Sequence, residues 1–243
     1  MMPVFSYQRL SIMEVWLTSL RLYRKTFPQI WFLTAVIGVL VNASIFFNMF
    51  YPLKFQAAAM VQDSIIYIVA VILSHVLNVY LFAVALHRMQ TAGDWQDSTL
   101  WDSLCYVNKK YSKIIIAVFF AHLFVLLGWC LLIIPGMYAL IAILMVQPLV
   151  LFDNKGSFAS LRDSFLLVKG NWWRTFVIFF LPKIIIFQSY YFSFFTVHYF
   201  SHKTWYILMG YNVLTTTFLF PLIIACVLVQ FKDLKLRKQL EVL

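Results

Sequence analysis

Apolar residues in this chain come in runs of about twenty, the length an α-helix needs to cross hydrocarbon, with charge confined to the gaps between them. The runs predict six transmembrane helices, at Ile30–Tyr51, Ser64–Leu86, Ile114–Ile134, Met137–Phe152, Thr175–Val197 and Trp205–Phe231. Pro135 and Gly136 separate the third from the fourth. Proline has no N–H and glycine tolerates positive φ, so this pair predicts a helical hairpin with almost no loop. The fourth run is short, which predicts little tilt or a locally thinned bilayer.

Before each odd-numbered span lies a segment too polar to cross the membrane but patterned as a helix. Met13, Trp16, Leu20, Tyr23 and Phe27 form an apolar stripe in the first, with Glu14, Thr18, Arg21 and Lys25 on the other side. Asp97, Leu100, Leu104, Val107 and Tyr111 occupy the same spacing in the second, and Phe158, Leu161, Phe165, Val168 and Trp172 in the third. The second and third copies also share Leu100-x-Asp102-Ser103 with Leu161-x-Asp163-Ser164, and Lys113 with Arg174. The fold expected is therefore all-α. One membrane domain over 1–243 would comprise three repeats of an interfacial amphipathic helix plus two spans, at about 8–87, 96–153 and 157–231, with a basic tail at 232–243. Repeats of this kind occur in transporters, and an aromatic stripe with a basic edge suits a helix lying in the headgroup layer. Packing beneath the bundle as a collar would use the same pattern.

Composition agrees with the pattern: 63% of the 243 residues are hydrophobic and 12% charged, against about 45–50% and about 25% in a soluble domain. This rules out a water-soluble globular domain. The balance of 19 Lys and Arg against 9 Asp and Glu gives a net charge of +10. In a soluble protein that would raise nucleic acid as a partner, but these cations sit in groups at the ends of apolar runs, so the partner expected is anionic phospholipid rather than nucleic acid. Sixteen of the nineteen flank the spans on one side, leaving Lys54 and Lys203 on the other and Lys183 within a span. The positive-inside rule then places both termini in the cytoplasm. Arg9, Glu14, Arg21 and Arg24 precede the first long apolar run without a short h-region and cleavage site, so no cleaved signal peptide is expected.

Charged side chains within hydrocarbon point to function because each costs about 2.5–3.5 kcal/mol at mid-span. Lys183, after Pro182, is the clear case, and it either faces a polar cavity or snorkels to an interface. His75 and Asn78 share a face of the second span, and with Lys183 they make the candidate intramembrane polar site. Asn212, Thr215 and Thr216 share a face of the sixth, a pattern that interhelical hydrogen bonds account for. Arg21, Arg24, Lys25, Lys109, Lys113, Lys169 and Arg174 are the candidate headgroup contacts. His198 and His202 are spaced i, i+4 with no carboxylate nearby, and Cys105, Cys130 and Cys226 fit no ligand spacing. No metal or cofactor is expected. No nucleophile elbow, zinc-protease motif or P-loop occurs, and no acid lies within a span, so no catalytic residue is nominated.

The stretch Ile133 to Arg174, IIPGMYALIAILMVQPLVLFDNKGSFASLRDSFLLVKGNWWR, resembles the YciC family of bacterial inner-membrane proteins. The likeness rests on an apolar pair before Pro135-Gly136, a proline within the following span (Pro148), the membrane-proximal Asp153, and the segment Phe158-Ala159-Ser160-Leu161-Arg162-x-Ser164. Membrane domains attached to some glycerophosphodiester phosphodiesterases look similar over this region. The resemblance implies a Gram-negative inner membrane and no established activity, and it turns the expectation toward a non-enzymatic role in envelope lipid biology, through phospholipid or as the membrane partner of an envelope protein. A small-solute or ion transporter is the alternative.

Overall fold

The computed structural model describes residues 9–50, 60–94, 96, 98–199 and 205–242, and every regular element among them is helical. In order these are α1 (Ile12–Phe50), α2 (Met60–Gly93), α3 (Leu100–Asn108), α4 (Tyr111–Leu131), α5 (Ile133–Ala142), a 3-10 turn (Ile143–Met145), α6 (Val146–Phe152), α7 (Ser157–Val168), α8 (Trp172–Tyr199) and α9 (Trp205–Val242). Five segments among the described residues are long and apolar enough to cross a membrane: Ile68–Gly93, Tyr111–Leu131, Ile133–Phe152, Trp172–Ser193 and Ile207–Leu240. The expected first span, Ile30–Tyr51, extends beyond the described side chains, as do Asp97, Lys54, Lys203 and His202.

The two ends of the molecule pack differently. From Ile223 to Phe231 every residue of α9 is buried, and the one polar side chain in the stretch, Gln230, has a partner in Thr175 of α8. Around it gather Val15 and Leu22 of α1, the run Ala83–Leu86 and Met89 of α2, and Leu149–Leu151 of α6. α1 is the most extensive neighbour of α9, followed by α8 and α2. Away from this core the helices present apolar side chains outward, among them Ile72 and Leu73 of α2, Leu126 and Leu127 of α4 and Phe187 of α8. Those outward faces suit lipid; the shared core lies at the end where the basic residues collect.

The amphipathic segments take two forms. α3 and α7 are separate short helices, whereas the first segment runs unbroken into the rest of α1. Pro28 lies inside α1, where it lacks an N–H to donate and its ring crowds the preceding turn, and the helix, packed along its length, continues through it. Ser11 and Glu14 start α1 with a reciprocal cap, Ser11 N–H donating to Glu14 Oε2 at 2.6 Å and Glu14 N–H to Ser11 Oγ at 3.2 Å. Thr99 and Asp102 do the same for α3, at 2.8 Å and 3.1 Å. The Thr99 hydroxyl and then its N–H hold the Asp102 carboxyl below the ordinary carboxylate range. A folded-state pKa below the unfolded one stabilises above the unfolded value, and that stabilisation is lost as pH falls through the folded value. The protection of α3 against hydrogen exchange, taken relative to the intrinsic exchange rate at each pH, is therefore expected to fall in the wild type only once the pH drops below the ordinary carboxylate range, and an Asp102→Asn variant to show the lower protection already at neutral pH.

The hairpin is where structure and sequence pattern part. The reversal falls on Leu132, the single non-helical residue between α4 and α5, with extended φ −167° and ψ 162°. Pro135 and Gly136 lie past the turn, in the first turns of α5. Proline costs nothing in a first turn, where the N–H has no intrahelical acceptor. Gly136 has a packing role instead: a Cβ at Gly128 would sit 2.9 Å from Gly136 Cα, and one at Gly136 would sit 2.8 Å from the Trp129 ring. The two glycines let the arms approach directly after the turn. The fourth apolar segment is accordingly longer than expected, beginning at Ile133, and it is broken in its middle by the 3-10 turn. Ala142 C=O, at that break, accepts a hydrogen bond from Ser164 Oγ of α7. Ser103, the matching residue of α3, pairs with His87 Nδ1 of α2 at 3.1 Å. Ser19, at the same register in α1, is likewise fully buried.

Candidate functional site

The end of the molecule that carries the cations is built around α9. Residues 232–242, read from sequence as a tail, continue the helix, and Asp233 and Leu234 are buried in its wall. The Asp233 side chain is 0% exposed and pairs with Arg174 at 3.0 Å and Arg237 at 2.7 Å. It also accepts the Leu10 N–H at 2.8 Å, and Arg237 donates to Leu10 C=O at 2.6 Å. A buried carboxylate is tolerable only with such partners, so this one residue ties the N-terminal segment, the start of α8 and the end of α9 together. Flanking it, Lys232 reaches Asp94 after α2 at 3.0 Å and Lys235 reaches Asp153 after α6 at 2.7 Å. About one turn of α9 thus holds the ends of α2 and α6 and the start of α8.

Two other lysines finish helices. Lys25 of α1 donates to Ala92 C=O in the last turn of α2 at 2.6 Å. Lys110 donates to Leu151 C=O at the end of α6 at 2.6 Å, beside Tyr106 OH at 3.0 Å. A cation on terminal carbonyls is favoured by both the vacant acceptors and the helix dipole. Of the seven candidate headgroup contacts, Lys25 and Arg174 therefore face protein partners. Arg21, Arg24, Lys109, Lys113 and Lys169 lie on the exposed surface.

Between α6, α7 and the end of α9 opens a charged cavity of about 260 Å³. Asp153, Lys155, Asp163, Lys235, Lys238 and Gln239 supply its polar lining, and Leu149, Leu166 and Leu167 its apolar wall. Lys155 and Asp163 pair at 3.0 Å across the mouth, with 45% and 31% of their side chains exposed. The Asp163 hydrogen bond and then its charge raise the Lys155 pKa, and Asp153 adds to the effect from farther away.

The intramembrane candidates lie on two helices, α2 and α8, that have no extensive contact with each other. His75 of α2 meets His122 of α4 edge to face, ring centroids 5.0 Å apart, and His122 Nδ1 lies 2.8 Å from Val118 C=O. Asn78 Oδ1 is buried with no hydrogen bond. Lys183 stands on the exposed face of α8, whose main packing partners are α9, α5 and α1, whereas α2 packs on α1, α3, α4, α6 and α9. The polar seam inside the bundle runs elsewhere. Asn212 accepts from Ser189 Oγ at 2.7 Å and donates to Ser193 Oγ at 2.9 Å, linking α9 to α8. Thr216 meets Asn42 of α1 at 3.3 Å and Tyr190 of α8 at 3.2 Å, and Gln230 donates to Thr175 at 3.0 Å. Thr215 turns back to Tyr211 C=O of its own helix. Ser189, Ser193 and Asn42 carry no sequence signal beyond being small polar residues in apolar runs, which is why the seam is visible only in three dimensions. Among the described residues no three His, Cys, Asp or Glu side chains gather as a metal site, and the three cysteines are unpaired.

Comparison of the chain with protein-family models, with curated proteins and with solved structures finds no match.

Proposed function

We propose that this is a non-enzymatic, multi-pass inner-membrane protein that handles or senses anionic phospholipid through three basic interfacial segments. In this reading it has six spans in three repeats and cytoplasmic termini, as the charge distribution and the resemblance of residues 133–174 to the YciC family suggest.

One observation carries the reading. On each amphipathic segment part of the apolar surface is left outside the bundle: Met13 is 65% exposed on α1, Trp101 71% on α3 and Phe158 65% on α7. Each has exposed cations on its own segment or just after it: Arg21 and Arg24, Lys109 and Lys113, Arg162 and Lys169. Large apolar side chains beside cations are what a headgroup layer accommodates, the former in the acyl boundary and the latter on phosphate. A collar whose stripes served only to pack against the bundle would turn Met13 and Phe158, which belong to those stripes, inward. The equivalent burial of Ser19, Ser103 and Ser164 supports a common origin for the three segments.

The test is lipid selectivity. The full chain, reconstituted in mixed phosphatidylglycerol and phosphatidylcholine and gently extracted, is expected to retain phosphatidylglycerol in several-fold excess over its share of the mixture. Replacing Arg21, Arg24, Lys109, Lys113 and Lys169 together by Gln removes contacts worth about 1 kcal/mol each near a charged surface and is expected to abolish the excess. Retention in proportion to the mixture by the wild type would refute the reading.

A further inference from the structure

The cavity between α6, α7 and α9 differs from the exposed basic patches in holding both signs of charge. Three lysines and two aspartates line a space of about 260 Å³ against Leu149, Leu166 and Leu167. A surface evolved only to attract anions gains nothing from two carboxylates at its centre, since each repels phosphate. Each carboxylate also has an oxygen to offer: Asp153 uses Oδ1 on Lys235 and Asp163 uses Oδ2 on Lys155. Among the described residues the second oxygen of each makes no hydrogen bond. Lys155 and Asp163 are moreover partly exposed at the mouth, so their pair can open to admit a ligand at small cost.

We propose that this cavity binds a phosphoethanolamine group, its phosphate on Lys155, Lys235 and Lys238 and its primary ammonium on Asp153 and Asp163. The inference rests on the phospholipid reading above and names a headgroup for one site within it. The charges are complementary in sign: the phosphodiester anion faces three lysines and the ammonium two carboxylates, in a cluster of net charge +1. A primary ammonium has three N–H donors for the carboxylate oxygens, whereas a choline cation has none and a glycerol headgroup has no cation at all. The apolar wall ends at Leu166, which is 48% exposed on α7 on the same face as Phe158, so the acyl chains of a bound lipid have an apolar path out of the cavity.

The test uses the full-length protein in phosphatidylcholine nanodiscs doped with phosphatidylethanolamine, its N-methyl and N,N-dimethyl forms, or phosphatidylglycerol, with bound lipid counted by native mass spectrometry. Occupancy is expected to fall stepwise with N-methylation, by about tenfold from phosphatidylethanolamine to phosphatidylcholine, the loss of charge-assisted hydrogen bonds. Asp163→Asn is expected to remove the discrimination while leaving phosphatidylglycerol enrichment intact. Equal occupancy across the methylation series overturns the proposal whatever the variant does. Enrichment of phosphatidylglycerol without preference for phosphatidylethanolamine also overturns it, and leaves the anionic-lipid reading standing. Soluble phosphoethanolamine in place of the doped lipid identifies the source: saturable binding that competes with phosphatidylethanolamine supports the same site with a free ligand as its occupant.

Discussion

Replacing Asp233 by alanine is expected to destabilise the protein by about 3 kcal/mol, toward the low end of what breaking a buried ion pair costs. The carboxylate is completely enclosed, and its removal leaves Arg174 and Arg237, 14% and 19% exposed, with facing positive charge and only the more distant Glu14 to offset it. It also takes away the acceptor of the Leu10 N–H. Because both arginines keep some contact with water, the loss does not reach the upper range. Thermal unfolding in detergent of the wild type, Asp233→Ala, Arg174→Ala and the double variant provides the measurement. The double variant is expected to be less destabilised than the two single effects added together, since removing Arg174 relieves part of the charge that Asp233→Ala strands. Lys235→Ala, which breaks the more exposed pair with Asp153, is the comparison and is expected to cost no more than about 1 kcal/mol. Equal effects at Asp233 and Lys235 would show that the enclosed pair does not hold this end of the molecule.

Alanine at Gly128 is expected to cost about 2 kcal/mol, the scale of overpacking a well-filled contact. Its methyl group would lie 2.9 Å from Gly136 Cα, 3.0 Å from Gly136 N and 3.1 Å from Pro135 O, so only a movement of α5 itself makes room. Ordinary helix propensity argues the other way, because alanine is favoured over glycine within a helix by about 1 kcal/mol. Gly210 of α9 isolates that opposing effect: nothing lies within 4 Å of a Cβ there, and Gly210→Ala is expected to be neutral or stabilising. If both substitutions stabilised the protein, the close crossing of α4 and α5 after Leu132 would be wrong.

Much of the architecture was legible in the sequence, for reasons particular elements make clear. In hydrocarbon a backbone must satisfy its own hydrogen bonds, so twenty apolar residues such as Tyr111–Leu131 imply a helix before any neighbour is known. The caps at Ser11-x-x-Glu14 and Thr99-x-x-Asp102 are equally local, each closing within one turn. The hairpin between α4 and α5 was legible too, but not its turning point. Pro135-Gly136 reads as a breaker in isolation; once glycine contact across the crossing is included, the same two residues serve the start of α5 and the turn moves back to Leu132.

The candidate site was less legible. Lys183 and the His75–Asn78 face stand out because polar groups are conspicuous in apolar runs, yet they lie on helices, α8 and α2, without extensive mutual contact. Arg174 and Lys25 look like surface cations by composition and face protein partners in the fold. Asp233 carries no signal in the sequence, being one acid in a basic stretch, although the N-terminal segment, α8 and α9 all meet at it.

By itself, then, the sequence determined that the chain is helical, roughly where its apolar segments lie though not where each one ends, and that its cations gather in groups beside them, because each of these follows from interactions within a turn or two or from transfer into hydrocarbon. Only the tertiary structure decided that Asp233 meets Arg174 and Leu10, that Lys235 meets Asp153, and that Asp163 shares a cavity with Lys238. Those partners are brought together by the packing of α6, α7, α8 and α9, and a charged residue carries in its own neighbourhood no record of which distant charge will face it.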